Sequence, residues 1–160
     1  MPTVSDAGPI ISFSRANRIE LLRDVLTTLI IPSAVYNEIV TEGKPEAPMI
    51  RQQAWIKVQR LQDQTLIAQL RPKLHIGESE ALALAWELSL PLLVDEKEAR
   101  KEAFRIGIQF FGSMRVLKEA KRQGLVEKIK PILDELISSG TYIGSSLYRE
   151  FLTRMDESPN

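Results

Sequence analysis

Short apolar runs that stop at Asp, Pro or Gly alternate along this chain with stretches whose apolar residues recur every three or four positions. Residues 2–5 form a β-capable start ending at Asp6, and 10–22 carries Ile11, Ile19 and Leu22 among charged positions, as a helix would. Residues 27–31 are β-branched and apolar up to Pro32, after which Ser33 can cap a helix running to Val40. A Pro-containing connection over 44–48 leads into 47–74, where the pattern predicts a helix, a short strand at 56–58 and a second helix. Helix 78–88 is apolar nearly all round, so it is expected deep in the protein, Trp86 included. Strand 91–94 ends at Asp95, and helix 96–106, strand 108–111 and a basic helix 113–122 follow. Past Gly124 come helices 126–137 and 145–155, the second with Leu147, Tyr148, Phe151, Leu152 and Met155 on one packing side. Strands alternating with helices predict an α/β fold, a central parallel sheet flanked by helices, with extra C-terminal helices. The chain's 160 residues fit a single domain, expected over 1–155, with a loose polar tail at 156–160.

Composition narrows the chemistry more than the fold. Apolar residues at 44% and charged residues at 26% are the balance of a soluble globule. The chain has no cysteine, which removes disulfides, thiolate metal sites and cysteine nucleophiles together. Its one histidine, His75, makes a His-rich zinc site improbable and reads as a surface or capping residue. The start lacks a basic, long apolar leader and no segment has the length of a membrane span, so a cytoplasmic protein is expected. Equal numbers of basic and acidic residues, 21 of each, argue against a grip on nucleic acid through overall charge. The distribution is uneven: residues 97–130 hold ten Lys/Arg against four acids.

Carboxylates are the chemical resource that remains. Asp6 and Asp95 each stand where an apolar strand stops, and in a parallel α/β sheet those ends share the edge where ligands bind. Glu38 lies on the helix after the second strand. Glu80 lies on the apolar helix before Asp95, where an ionised group is costly unless paired or bound to a cation. Four converging carboxylates repel one another unless a cation neutralises them, and Mg2+ or Mn2+ suits an all-oxygen set. Such an ion acidifies an attacking water, so phosphodiester hydrolysis is the natural chemistry. The competing reading of a lone Asp after a strand is a turn former or helix cap.

Four segments in order, VSDAGPIISFSRANRIELL, IPSAVYNEIV, GESEALALAWEL and LLVDEKEAR, continued by FRIGIQFFGSMRVLKEAKRQG, resemble the PIN-domain ribonucleases, in particular their VapC-like toxin branch. The likeness covers nearly the whole chain and implies a PIN-like domain. It implies that Asp6, Glu38, Glu80 and Asp95 are the catalytic, metal-binding acids, with Glu78, Glu96 and Glu98 close enough in sequence to leave the third and fourth open. It also implies Mg2+-dependent (or Mn2+-dependent) cleavage of RNA and a small antitoxin as partner. Lys97, Arg100, Lys101, Arg115, Lys118 and Arg122 would then draw RNA phosphates toward the acids, against the alternative of a solvated helix face. Ala7-Gly8 stands where relatives carry a hydroxyl after the first Asp, which only Ser5 or Ser12 could replace. That departure motivates a second reading, a catalytically weak binding or regulatory module of the same fold. A homodimer is possible, with helix 145–155 a candidate surface.

Overall fold

A computed structural model describes residues 2–40 and 47–160; the connection expected over 44–48 lies mostly outside them. Five strands, β1 (Thr3–Ser5), β2 (Leu29–Ile31), β3 (Ile56–Val58), β4 (Leu92–Leu93) and β5 (Phe110–Phe111), form one sheet. Their order is β3-β2-β1-β4-β5 and every pairing is parallel. Val4, Leu29, Ile31, Leu92 and Leu93 are wholly buried, as expected of short apolar strands covered on both faces.

Among the described residues ten helices flank this sheet. They are α1 (Ala7–Arg15), α2 (Ile19–Leu26), α3 (Ser33–Val40), α4 (Ala47–Arg51), α5 (Thr65–Leu70), α6 (Ile76–Leu88), α7 (Lys97–Ile106), α8 (Ser113–Arg122), α9 (Lys130–Ser138) and α10 (Ser145–Arg154). None is long and apolar enough to cross a membrane. The helix expected over 10–22 is two, because Asn17 takes a left-handed backbone (φ 58°) that Asn tolerates better than most residues. Trp86 is 56% exposed, against the expectation of a core residue. Helix α6 packs on α3, α5, α7 and β1, and its apolar circumference exceeds what those neighbours cover.

The tail is shorter than its composition suggests. Glu157 accepts hydrogen bonds from the backbone N–H of Ile129 (2.7 Å) and Lys130 (2.9 Å) and pairs with Lys121 Nζ (2.8 Å). It caps α9 from a distance, holding Ile132, Leu133 and Leu136 in the core. The stripe on α10 is only partly used: Phe151 and Leu152 are buried, Tyr148 donates to Asp134 (2.5 Å), and Leu147 is exposed.

The strand order places the functional edge. The chain builds outward from β1 through β2 to β3, then returns to the other side of β1 for β4 and β5. The reversal falls between β1 and β4, and the crevice beyond the carboxyl ends of two such strands is where open α/β sheets bind ligands. Asp6 follows β1 and Asp95 lies two residues past β4.

Candidate functional site

Asp6 ends β1, its N–H bonded to the Leu93 carbonyl of β4 (3.1 Å), and its extended backbone (φ −74°, ψ 167°) starts α1. Only 6% of it is exposed, and its buried Oδ1 has no hydrogen-bond partner among the described residues. A carboxylate stripped of water and unpaired holds its proton. Burial pushes Asp6 up from 3.8 to about 7; the adjacent Ala7 amide pulls it down, the charges of Glu78 and Glu38 push it further up, and His75 opposes them.

Two acids act on this carboxylate by charge, one from α6 and one from α3. Glu78 is buried in the first turn of α6, and its affinity for a proton is likewise raised by burial, with Glu96 and Glu38 adding to it and His75 opposing. Glu38, on the half-buried side of α3, lies so close to α6 that a Cβ at Gly77 would stand 3.2 Å from its Oε1. His75 starts α6 and its Nδ1 accepts from the N–H of Gly77 (3.1 Å) and Glu78 (3.4 Å), which places the ring proton on Nε2. Nε2 faces Glu78 Oε1 at 3.5 Å. His75 is thus the capping residue expected, and it borders the acids as well.

The other two sequence-derived acids are already engaged. Glu80 Oε1 accepts from the Ala34 N–H (3.0 Å) in the first turn of α3, so a helix N-terminus, rather than a cation, offsets its charge. Residues two apart on a helix do not share a face, so Glu78 and Glu80 cannot both turn toward Asp6. Asp95 is bound at both oxygens by Ser113, whose N–H donates to Oδ1 (2.8 Å) and whose Oγ donates to Oδ2 (2.5 Å). Gly112 permits this approach, since a Cβ there would lie 2.7 Å from Asp95 Oδ1. The structure therefore sets Asp6 within the field of Glu38 and Glu78, and gives Glu80 and Asp95 helix-capping work. Sequence reasoning left Glu78 open because its place in a first helical turn has a ready explanation in the helix dipole.

Among the described residues no three acid or imidazole side chains close into a ready-made cage. Mg2+ is commonly held by one or two carboxylates with water completing its shell, and the orphaned Asp6 oxygen beside Glu78 and Glu38 fits that habit. The hydroxyl missing after Asp6 is not replaced by Ser5, whose Oγ donates to the Asp6 carbonyl (2.8 Å).

Basic residues collect on the β5 side of the same edge. Lys97, Arg100 and Lys101 of α7 surround a hollow with Asp95 and Phe110, and Arg115 of α8 lines the next hollow. Arg122 is held by Glu119 of its own helix, which lowers that acid to about 2, and Lys118 is exposed farther along α8.

A search of curated proteins finds no match to this chain. Among solved structures, a PilT N-terminus domain protein from the hyperthermophilic archaeon Sulfolobus solfataricus P2 superposes with a TM-score of 0.51 at 16% identity. The match covers 90% of this chain and 98% of that one, a likeness of fold. The family model DUF3368, described as a PIN domain, matches residues 2–157. PIN domains are generally nucleases that use divalent metal ions and bind RNA. With the parallel five-stranded sheet and the acids at its switch point, this match means that the chain belongs to the PIN-domain family.

Proposed function

We propose that this protein is a Mg2+- or Mn2+-dependent endoribonuclease of the VapC-like kind, with Asp6, Glu38 and Glu78 as the acids that hold the ion. The observation that carries this reading is the buried Oδ1 of Asp6, which has no hydrogen-bond partner among the described residues and lies within the field of two further carboxylates, Glu78 and Glu38. A bound divalent cation would neutralise this repulsion and acidify a water for attack at phosphorus. Asp95, anchored by Ser113, and Glu80, anchored on α3, are positioning residues that fix the two walls of the cleft. Lys97, Arg100, Lys101 and Arg115 lead RNA phosphates toward the acids. The setting we infer is the cytoplasm, with a small antitoxin as inhibitor.

The test pairs Mn2+ titration with cleavage of a mixed RNA pool. Wild type should bind Mn2+ and cut; Asp6→Asn should fold, bind Mn2+ poorly and fail to cut. Full activity in Asp6→Asn would defeat the proposal. A second reading, a PIN-fold binding module with little catalysis, is favoured by one observation: Ala7 and Gly8, directly after Asp6, supply no hydroxyl and Ser5 is already engaged. RNA binding without Mn2+ uptake or cleavage would establish it instead.

A further inference from the structure

Four aromatic side chains border the β5 edge of the sheet, and two of them have no part in the core. Phe104 on α7 is 80% exposed and Tyr142, in the α9–α10 connection, is 91% exposed. Between them Phe110 and Phe111 lie half-buried on the edge strand. The Arg100 guanidinium stands 5.2 Å from the Phe110 ring centre, and that of Arg115 stands 5.7 Å from the Phe111 ring centre. Two adjoining hollows share Asp95, Arg100 and Phe110; one ends at Phe104 and the other at Tyr142. They form one trough that runs past Asp95 where the two hollows join.

Charge indicates the occupant. Among the described residues Lys97, Arg100 and Arg115 form no ion pair within 4 Å, although Asp95 lines both hollows beside Arg100 and Glu119 feels the charge of Arg115, whereas most other arginines and lysines on these helices are paired. Unpaired cations interleaved with exposed rings suit a polymer that carries both phosphates and flat π faces. A duplex keeps its base faces stacked within itself, so only an unpaired strand could use the rings. From this geometry we infer that the β5 edge is a stacking platform for unpaired bases, selecting single-stranded RNA and leading it over Asp95 into the acid cleft. The inference rests on the nuclease reading for the direction of the strand, and on the rings and cations alone for binding.

The experiment uses full-length protein without divalent metal, so that binding is read apart from cleavage. A labelled single-stranded RNA, the same sequence as a duplex, and an abasic strand of equal charge are titrated by fluorescence anisotropy. Phe104→Leu and Tyr142→Leu keep apolar bulk without the π face, while Phe104→Tyr and Tyr142→Phe keep the ring. Each Leu variant should weaken single-strand binding by roughly fivefold or more, and the aromatic variants should bind as wild type does. The abasic strand should bind more weakly than the natural one and show no further loss with the Leu variants. Because both side chains are exposed, thermal melts should show the fold intact. Equal losses for strand, duplex and abasic strand, or no loss, overturn the platform. So does a change of oligomeric state on sedimentation with RNA affinity untouched, which would make the face a protein contact. Ring-dependent binding by a protein that never cuts RNA supports the platform while removing the nuclease reading; cleavage without ring dependence does the reverse.

Discussion

On the α3–α6 side of the sheet's carboxyl edge, Glu38 and Glu78 add their charge to the burial of Asp6, which holds its proton to about pH 7. On the β4–β5 side, Asp95 occupies the corresponding strand end, yet both its oxygens are bonded to Ser113. Two aspartates that look alike in sequence have therefore been given opposite energetic positions. The satisfied one stabilises the fold, and the orphaned one stores repulsion that a cation can relieve. What separates them is a donor: the first turn of α8 reaches Asp95, whereas among the described residues the adjacent Ala7 amide alone serves Asp6.

The largest expected effect tests this directly. Without metal, native Asp6 keeps a proton from its unfolded pKa near 3.8 up to about 7, so the stability it contributes is full below the first value and is lost as pH rises through the second. The rise corresponds to ~4 kcal/mol of native-state penalty at most. Asp6→Asn removes the ionisable group, so its melting temperature should exceed that of wild type at pH 8. The gap should open between pH 4 and 7, and Mn2+ should close it by stabilising wild type alone. A variant less stable than wild type at pH 8 would break the contrast.

Asp95→Ala should act with the opposite sign. Removing it strands the Ser113 N–H and hydroxyl, both buried, at a cost of about 2 kcal/mol in urea unfolding. Unchanged stability would mean that Ser113 finds other acceptors and that the two strand ends are less different than they look.

Smaller effects separate Glu78 from Glu80 on α6. Glu80→Ala should lose about 1 kcal/mol through the uncapped α3 amide and leave Mn2+ affinity close to that of wild type. Glu78→Gln should weaken Mn2+ about tenfold or more while costing little stability, since the native carboxylate is strained by its neighbours. The reverse pattern would return the third acid to Glu80.

Most of the sheet was legible because four of its strands carry their own signal, a short β-capable run closed by Asp, Pro or Gly, whereas β3 has Lys57 at its centre and runs on into Gln59; the parallel order follows from helices between strands. Asp6 and Asp95 were legible as strand-end acids for the same reason. Glu78 and Glu80 were not separable, because a nearly all-apolar helix gives no face to read and choosing between positions two apart requires knowing where α3 lies. Trp86 was misplaced for the same cause. Glu157 shows a second limit: a long-range cap onto the N–H groups of 129 and 130 leaves no local pattern, so the tail read as loose.

The finest test concerns His75, where cap and acid cluster meet. Nδ1 accepts two α6 amides, so the neutral ring must carry its proton on Nε2, facing Glu78. Nitrogen chemical shifts of the imidazole at pH 8 should report that one tautomer rather than a mixture. Asn caps helices well, so His75→Asn should cost only a few tenths of a kcal/mol, whereas His75→Ala should cost about 1. If His75→Asn keeps stability and yet shifts Mn2+ affinity, Nε2 tunes the acids beyond capping. If neither stability nor Mn2+ affinity responds in either variant, the ring belongs to neither side of the comparison and α6 starts without its help.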